Sequence, residues 1–593
     1  MIKRVADIVM EVLSDHGVKD CFAVVGGGAM HLDNALAKCD SIHKYFNHHE
    51  QACAMAAEAY ARISGKIAAV CVTSGPGGTN TLTGVMGAWQ DSLPMIILSG
   101  QVRYETTITA AGLPLRCRGI QEFDIINSVQ NMTKYCKMII DPLSIKAEIL
   151  KALSIAMDGR RGPVWLDIPL NVQSALVEEN ELYETEETQT SKVTINKSEF
   201  EEIIKLLREA KRPCVLVGNG VRSSGSINEF RRLVNKMSIP IISTGLAADV
   251  MHRDYSGYYG MSGYIGPRVG NFILQNADVI LSLGCSLGYK TSGFAQDKFA
   301  INAYIIAVDI DKYETKKPGV RISKFINYEI KEFCNTMLSI DCHINLDKSW
   351  MEYCDKLNSR FTPFEGGLEC KPDERVGSYY FWQQYEKYES DDSISVLGNN
   401  TANSSKLQIG VKKEKQRIVS NLNCGSMGYD LPATIGAAIA SEKEVICLTG
   451  DGSIMMNLQE LQTIKHYNLP VKIVIFSNNG YGAIRQTCKN FFNGQEIGCT
   501  PESGVSFPDF KKLANAFDYE YMLCENNQQV TDSLKKLFAS DKQMVLEIYQ
   551  KLDDPVVPKV MSRIQEDGSF ATPALHDMAP FLEKEELDSL MLW

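Results

Sequence analysis

The stretch from Val445 to Tyr481 constrains the fold of this chain more than any other. It reads VICLTGDGSIMMNLQELQTIKHYNLPVKIVIFSNNGY. An apolar β-branched run is followed by a glycine turn, a helical pattern, a second apolar run and a polar loop. This order predicts a strand–helix–strand unit of a parallel sheet. Because parallel strands end at one edge of a sheet, Asp451 and Asn478 should converge there, although 27 residues separate them.

The residues at this predicted edge suit a metal ion and a phosphate. Asp451 and Asn478 offer a carboxylate and an amide oxygen, ligands that Mg²⁺ accepts while it keeps other positions for phosphate and water. Gly452 lets backbone N–H groups approach a phosphate at the start of the following helix. A glycine turn before a helix is common. The turn, the spacing, the asparagine pair and both strands together resemble the signature of thiamine diphosphate enzymes.

Composition limits the class of protein. The chain has 593 residues, of which 45% are hydrophobic and 22% charged, and its net charge of −11 argues against nucleic acid as a partner. No apolar run approaches the roughly 20 residues that span a bilayer. The amphipathic, acid-bearing N-terminus predicts a first helix instead of a signal peptide. The 17 cysteines show no CxxC or zinc spacing, so we expect reduced, mostly buried thiols in a cytoplasmic protein.

Three α/β patterns divide the chain, and each predicts a doubly wound parallel sheet. They cover residues 1–175, 193–345 and 376–553. The acidic segment 176–192 predicts a linker and the polar segment 346–375 a connection, while the tail 554–593 is assigned to no domain. The first and third units could be long repeats of each other, which their sequences do not establish.

The first unit carries a carboxylate beside a glycine turn. Glu50 precedes an alanine-rich helical run, and the segment SGPGGTN at 74–80 predicts a strand-to-helix turn. Alone, Glu50 would be an ordinary acidic residue at a helix start. With the turn, with GPVWLDIP at 162–169 and with NCGSMG at 423–428, residues 1–553 resemble the acetolactate synthase family of thiamine diphosphate enzymes. That family's order implies pyrimidine-binding, central dinucleotide-type and pyrophosphate-binding domains.

The resemblance implies a role for each matching residue. Glu50 would hydrogen-bond the aminopyrimidine ring, Met427 would hold the cofactor in its bent form, and Gln121 would reach the substrate. The metal ligands implied for Mg²⁺ are Asp451, Asn478 and the carbonyl of Gly480. The other implied contacts to thiamine diphosphate are Gly27, Gly28, Pro76, Asn80, Gly425, Gly450, Gly452, Ser453, Tyr481 and Gly482, with Asn478 and Gly480 facing both cofactor and metal.

The resemblance also implies the reaction. A 2-oxo acid, with pyruvate expected, would be decarboxylated because the cofactor accepts the released electron pair, and the acyl carbanion would be transferred to a carbonyl acceptor. The alternatives are an acetolactate synthase that joins two pyruvates, a simple 2-oxo acid decarboxylase, and a non-catalytic scaffold. The family further implies a homodimer or homotetramer whose active site lies at the subunit interface, with no membrane partner.

For the central unit the resemblance implies FAD. The candidate contacts are Gly218, Gly220, Thr244, Leu246, Gly263, Asp309 and Ile310, the acidic residue suiting a nucleotide hydroxyl. The segment 218–220 is GNG, however, and not the GxGxxG fingerprint. Ser286 stands where the family has Arg, and Lys290 would be a poor substitute because it lacks the bidentate fork. The alternative is a structural domain that keeps the fold and binds nothing.

The chain departs from the family beside the metal loop. Biosynthetic acetolactate synthases carry a Trp that shapes the pocket for a small 2-oxo acid, and Thr487 aligns with it. This difference opens volume, and Arg485 adds a charge near the same wall. We therefore expect a larger acceptor. The segments 258–284 and 573–582 resemble proteins of surface-polysaccharide gene sets, which implies a keto-sugar nucleotide as acceptor.

Overall fold

The computed structural model describes residues 1–184, 196–365, 367–564 and 569–593. It contains three six-stranded sheets, and the strands of each are parallel. Helices bury apolar residues against both faces of the sheets, which confirms the predicted fold class. The domain boundaries stay predictions, and residues 185–192 of the predicted linker lie outside the described residues.

The neighbours in each sheet follow a definite order. In the first sheet it is His43–Phe46, Asp20–Ala23, Ala69–Val72, Met95–Gln101, Pro163–Pro169 and Tyr135–Met138. In the second it is Tyr258–Met261, Ile241–Ser243, Pro213–Val217, Val279–Leu283, Tyr304–Asp309 and Lys324–Asn327. In the third it is Arg417–Val419, Ile394–Leu397, Val445–Gly450, Val471–Ser477, Met544–Tyr549 and Glu520–Cys524. Two short antiparallel pairs complete the strands, Ile2–Arg4 with Leu176–Glu178 and Arg563–Ile564 with Phe570–Ala571.

The α-helices connect these strands. Those of the first unit are Val5–Asp15, Met30–Lys38, Glu50–Ser64, Pro76–Asn80, Leu82–Gln90, Ile108–Ala111, Ile125–Val129, Ile145–Met157 and Leu170–Gln173. Those of the middle of the chain are Lys197–Glu209, Gly220–Ser223, Ile227–Met237, Arg268–Asn276, Tyr289–Ser292, Ile330–Ser339 and Lys348–Arg360. The remainder are Ser378–Tyr385, Thr401–Ile409, Asp430–Ser441, Asp451–Ile454, Glu460–His466, Gly482–Phe491, Phe510–Ala516, Val530–Ala539 and Lys584–Ser589. No described helix combines the length and apolar character needed to cross a membrane.

Strand order separates the central sheet from the other two. Numbered along the chain within each sheet, the first and third sheets both have the order 2-1-3-4-6-5. The central sheet has the order 3-2-1-4-5-6, which is that of dinucleotide-binding folds. The sequence did not establish whether the first and third units are repeats of each other. Their common strand order supports that relation.

The helices Glu50–Ser64 and Asp430–Ser441 cross in the centre of the molecule. Both follow the second strand of their own sheet, and their apolar residues belong to one shared core. The crossing is so close that a Cβ atom on Gly436 would overlap the carbonyl of Ala56. The alanine-rich sequence of the first helix thus serves a backbone-to-backbone contact between the first and third units.

Gly436→Ala should destabilise the protein by about 3 kcal/mol, because the added methyl group forces the two helices apart. The measurement is the free energy of unfolding from urea denaturation. Gly87→Ala is a matched control: Gly87 is also buried in a helix, but its added Cβ would lie 3.7 Å from the nearest atom, Cβ of Cys424. That control should be neutral or stabilised by up to about 1 kcal/mol. Equal effects of both substitutions would contradict the close crossing.

A buried polar cluster holds the same two units together. Arg62 donates to the carboxylate of Glu58 and, at 2.6 Å, to that of Asp91, while the Tyr429 hydroxyl donates to Glu58. Asn423 donates to the other oxygen of Asp91 at 2.8 Å. Burial raises the pKa of Glu58. The loop that carries Met427 is therefore fixed to the first unit through charges and hydrogen bonds.

The tail and the segment before the third unit are more ordered than their polar sequences predicted. Helix Lys348–Arg360 buries Trp350 against the central sheet, where the indole N–H donates to the Pro213 carbonyl at 3.0 Å. The tail lies along helix Arg268–Asn276, in which all nine residues are buried. Asn276 donates to the Leu590 carbonyl and accepts from the backbone N–H of Leu592. The predicted connection is thus part of the central domain's packing.

His576 anchors the tail through a hydrogen bond that requires its imidazole ring to be neutral. Its Nδ1 lies 3.1 Å from Nε2 of Gln275. The amide oxygen of Gln275 accepts from the backbone N–H of Ala300, so its nitrogen must be the donor to His576. Burial lowers the pKa of His576 against the opposing charges of Asp577 and Asp588.

The free energy of unfolding should therefore fall as the pH drops below about 6.5, the usual histidine pKa, because the unfolded chain takes up the proton first. The slope contributed by His576 is at most about 1.4 kcal/mol per pH unit, and it ends at the lower pKa of the folded protein. Urea unfolding at several pH values measures it. His576→Gln should lose this slope, whereas a substitution of the exposed His343 should keep it. An unchanged slope in His576→Gln would refute the assignment.

Candidate active site

Asp451 and Asn478 meet at the carboxyl edge of the third sheet, as their positions after two neighbouring strands predicted. The Asp451 side chain is only 4% exposed. Its carboxylate accepts from the backbone N–H of Gly452 at 2.9 Å and from that of Gly480 at 3.3 Å. Burial raises the pKa of Asp451 to about 6, opposed by the N–H groups of the 478–480 loop and Gly452. A metal ion would neutralise this buried carboxylate.

Asn478 carries an oxygen that has no partner in the described chain. The residue is 5% exposed, and its Oδ1 is buried without a hydrogen bond. A buried amide oxygen of this kind costs free energy unless a cation or donor meets it. Together with the Asp451 carboxylate it forms a hard-oxygen pair that fits Mg²⁺. The described residues contain no cluster of three His, Cys, Asp or Glu side chains, as expected for a site with one carboxylate.

The glycines of this edge allow close packing around the metal loop. A Cβ on Gly452 would overlap the Tyr481 ring and approach the Met427 side chain to 3.3 Å. A Cβ on Gly480 would overlap the Cys499 carbonyl, and one on Gly482 would lie 2.9 Å from Nδ2 of Asn478. The predicted diphosphate contacts therefore lie together, and their spacing requires glycine.

The Met427 loop is held by asparagines that the sequence did not single out. Asn399 donates to the Gly425 carbonyl at 2.5 Å, and Asn457 donates to the Gly428 carbonyl at 2.8 Å. The hydroxyl of Ser453 accepts from the backbone N–H of Gly428 at 3.0 Å. The loop of Gly450 adjoins Asn400, whose Nδ2 is buried and unpartnered. The sequence feature that could have pointed to these asparagines is the pair Asn399-Asn400, which closely follows a buried strand.

Glu50 is the first residue of its helix, and its side chain is half-buried. Asn80 donates to its carboxylate at 2.9 Å, so two predicted residues do come together. Pro76 begins the short helix that ends at Asn80, and Gly77 leaves space beside the Glu50 carboxylate. Glu460 of the third unit fixes the approach to this helix: it accepts from Asn47 at 2.8 Å and from the backbone N–H of His48 at 3.0 Å.

The glycine turn 26–28 packs directly on Thr73, a residue missed from the sequence. The Thr73 hydroxyl accepts from the backbone N–H of Gly28 at 2.9 Å. A Cβ on Gly26 would lie only 2.5 Å from Cβ of Thr73, so glycine lets the turn pack this closely. The turn is further fixed by Asp33, whose carboxylate accepts from the Gly26 N–H at 3.1 Å.

Gln121 lies in an exposed loop next to Gly75, in the second glycine turn at 74–80. Its φ is +60°, and its carbonyl occupies the space that a side chain on Gly75 would need. The loop is folded around the buried carboxylate of Glu122, which accepts from the backbone N–H groups of Arg118 and Gly119 at 2.8 and 3.1 Å. Gln121 is thus held at the rim of the Glu50 pocket, with its side chain exposed.

The described chain contains two halves of a site. Glu50 and Asn80 lie together in the first unit, and Asp451 lies with Gly452 and Gly480 in the third. No hydrogen bond of the described residues joins the Glu50 carboxylate to the Asp451 loop. The resemblance assigned these two groups to one active site at the subunit interface.

The predicted FAD residues lie in and beside loops of the central unit, and FAD binding stays a prediction. Gly218 and Gly220 pack against the backbone of Gly284, and the backbone N–H of Thr244 donates to a neighbouring strand. Leu246 borders a space of only about 10 Å³, which the ion pairs of Asp249 with Arg222 and Arg417 close. The remaining residues are placed as follows: Asp309 accepts from the N–H of Asp311, Gly263 packs on the Lys290 carbonyl, and Ile310 is exposed.

The wall predicted to receive the acceptor follows the metal loop. Thr487 is exposed on helix Gly482–Phe491, where its hydroxyl donates to the Ala483 carbonyl at 3.1 Å. Arg485 donates to the carbonyl of Asn478 at 2.7 Å. The wall therefore carries a small side chain and a cation that contacts a candidate metal ligand.

Comparison with known proteins agrees with this arrangement. The thiamine pyrophosphate enzyme N-terminal TPP binding domain matches residues 3–125, the central domain 200–334 and the C-terminal TPP binding domain 397–548. A probable acetolactate synthase large subunit from Methanococcus aeolicus is 32% identical over 91% of both chains. The chain belongs to the acetolactate synthase family of thiamine diphosphate enzymes. Further members with 28% identity are the large subunit from Lactococcus lactis, with 95% of both chains covered, and isozyme 2 from Escherichia coli, with 93% and 97%.

Family membership places both halves of the site in cofactor-binding domains. Glu50 and the glycine turn fall within the N-terminal match, and Asp451 and Asn478 within the C-terminal one. Thiamine diphosphate is thus the cofactor of this acetolactate synthase-like chain. The unusual wall residue Thr487 also lies within the C-terminal match.

Proposed function

We propose that this protein decarboxylates pyruvate, or a 2-oxo acid of similar size, and transfers the acyl carbanion to a carbonyl acceptor larger than pyruvate. The observation that carries the proposal is the buried Asp451 carboxylate beside the unpartnered Asn478 oxygen, in a member of this family. Burying this carboxylate and this amide oxygen costs free energy unless a metal ion binds them. Their presence therefore argues against a non-catalytic scaffold.

Bound thiamine diphosphate supplies an electron sink for decarboxylation. The chain's own residues bind and orient it. Asp451, Asn478 and the Gly480 carbonyl would hold Mg²⁺ on the diphosphate. Glu50 would hold a proton at the aminopyrimidine ring, and its contact with Asn80 fixes one carboxylate oxygen so that the other can point to that ring. The remaining predicted contacts line the two halves: Gly27, Gly28, Pro76, Gly425, Met427, Gly450, Gly452, Ser453, Tyr481 and Gly482.

A complete site would need two copies of the chain. The family resemblance, which implies an active site at the subunit interface, supports this arrangement. Large apolar side chains around the Glu50 half are exposed: Val25 by 59%, Met30 by 52% and Ile120 by 88%. Burial of such a surface favours association. We therefore propose a homodimer, or a homotetramer built from it, with each site between subunits.

The size of the acceptor follows from Thr487. A threonine in place of the family's tryptophan leaves space above the metal loop, which supports a bulky acceptor such as a keto-sugar nucleotide. The experiment is mass spectrometry of the products formed from pyruvate, Mg²⁺, thiamine diphosphate and a panel of carbonyl acceptors. Absence of CO₂ would refute pyruvate as donor. Acetaldehyde alone with every acceptor would identify a simple decarboxylase.

A second candidate is acetolactate synthase itself. It is favoured by the relatives, whose names carry that activity, and by their coverage of nearly the whole chain. Formation of acetolactate from pyruvate alone, undiminished by any larger acceptor, would select this candidate.

FAD has no part in the proposed reaction, because decarboxylation and carbon–carbon bond formation need no electron transfer to a second cofactor. FAD binding itself stays a prediction. The visible spectrum of the purified protein tests it directly: a flavin band, or one gained on adding FAD, would confirm the prediction, and the lack of both would refute it.

A further inference from the structure

A strip of basic and aromatic side chains leads away from the metal loop. It runs from Arg485, on the helix after that loop, to Lys559 at the start of the tail, and on to Tyr264, Phe294 and Tyr289 of the central domain. We call these five residues the basic–aromatic strip. Lys559 contacts Gln486, the chain neighbour of Arg485, and Val560, the chain neighbour of Lys559, contacts Tyr264, so the five residues lie on adjoining segments.

The basic end has two cations without a carboxylate. Lys559 contacts the amide oxygen of Gln486 at 3.4 Å, and Arg485 contacts the Asn478 carbonyl, but neither forms an ion pair with any described residue. Burial lowers the pKa of Lys559, and no acidic group offsets it. Lys489, on the same helix, is by contrast paired with Asp553. Partly buried cations that lack a counter-charge favour an anionic ligand.

The tail connects these cations to the aromatic end. Val560, next to Lys559, donates its backbone N–H to the Tyr264 carbonyl at 2.7 Å. The Tyr264 ring lies 5.6 Å from that of Phe294, which stacks on Tyr289 at 6.3 Å and 24°. This end of the strip is therefore a short aromatic stack whose backbone contacts the segment that carries Lys559.

The aromatic rings are open to a ligand. Tyr289 is 59% and Phe294 58% exposed, although both rings are large and apolar. Lys290, between them in the chain, donates to the carbonyl of Leu422, in the loop that leads to Met427. The platform is thus fixed to the cofactor half of the site. Exposed stacked rings are suited to planar groups such as nucleobases.

We propose that the basic–aromatic strip binds the nucleoside diphosphate portion of the acceptor, with the diphosphate at Arg485 and Lys559 and the base on Phe294 and Tyr289. This inference rests on the proposed transfer to a carbonyl acceptor. A sugar attached to the diphosphate would lie at the Arg485 end, next to the metal loop. The order of groups along the strip therefore matches the order of groups in a sugar nucleotide.

The test is isothermal titration calorimetry of ADP, GDP, CDP and UDP into protein saturated with thiamine diphosphate and Mg²⁺, so that the cofactor site is filled. At least one nucleoside diphosphate should bind. Lys559→Gln should raise its Kd by about tenfold, since one charge-assisted contact is lost. Tyr289→Ala should raise it by about tenfold through lost stacking. Lys489→Gln and substitution of the exposed Tyr313 by Ala, which lie outside the strip, should leave Kd unchanged.

The outcomes separate this inference from the proposed function. If the unaltered protein releases CO₂ from pyruvate but binds no nucleoside diphosphate, the strip is not an acceptor site and the proposed function stands. If nucleoside diphosphates bind as predicted but no CO₂ is released, the strip stands and the pyruvate reaction fails. Inorganic pyrophosphate binding as tightly as every nucleoside diphosphate would overturn the role of the rings. A Tyr289→Ala protein that changes its sedimentation but not its Kd would make the platform an interface between copies.

Discussion

Replacing Glu50 by Gln should lower the rate of CO₂ release from pyruvate by about 10² to 10⁴-fold, the usual contribution of a general acid–base group. The amide keeps the shape of the side chain but cannot take up or hold the proton that the carboxylate would hold. Because Asn80 donates to one carboxylate oxygen, the amide can still accept that bond, so the fold should be retained. The measurement is steady-state CO₂ release at saturating Mg²⁺ and thiamine diphosphate.

The neighbouring His48 provides the control for this prediction. Its side chain is exposed, and only its backbone N–H contacts Glu460. His48→Gln should therefore leave the rate within about twofold, the scale of an ordinary surface substitution. A Glu50→Gln protein that binds the cofactor and keeps full activity would remove Glu50 from its role.

Asp451→Asn should weaken divalent metal binding in the presence of thiamine diphosphate by about 100-fold or more, because the only carboxylate of the site is lost. The new amide nitrogen would also face the N–H donors of Gly452 or Gly480, so one donor in a buried site would have no acceptor. Electron paramagnetic resonance of Mn²⁺, used in place of Mg²⁺, gives the affinity without relying on activity.

A surface carboxylate nearby serves as the matched control. Asp553 is exposed and pairs with Lys489. Asp553→Asn should leave the Mn²⁺ affinity unchanged, and Asn478→Ala should weaken it in the same direction as Asp451→Asn. If Asp451→Asn and the unaltered protein bound Mn²⁺ equally, the metal would have to lie elsewhere.

The sequence predicted the sheets and the metal loop because both depend on short-range patterns. The strand Val445–Gly450 is buried along its whole length. The turn that follows such a strand lies at the carboxyl edge of the sheet, where ligands bind. The positions of Asp451 and Asn478 followed from topology alone. The role of Glu50 could not be predicted from its position alone, because acidic residues are common at the start of a helix. The resemblance to the family supplied that prediction.

Contacts between distant segments could not be predicted in this way. Glu460 reaches Asn47 across more than 400 residues, and Thr73 supports Gly26 only because two loops happen to meet. Helix Lys348–Arg360 was missed because its buried positions, Trp350, Cys354 and Leu357, are few among polar residues. The central domain adds a packing role that its sequence did not indicate: Gly218 and Gly220 lie against the backbone of Gly284.

The common strand order of the first and third units has a consequence for the history of the chain. Glu50 and Asp430 each begin the helix that follows the second strand of their own sheet. Asp430 is wholly buried, where its carboxylate accepts from Thr449 at 2.7 Å and from the backbone N–H of Leu431 at 3.0 Å. Two equivalent acidic residues thus have opposite surroundings. A gene duplication would account for this pattern if one copy kept its acid accessible and the other enclosed it as a structural support.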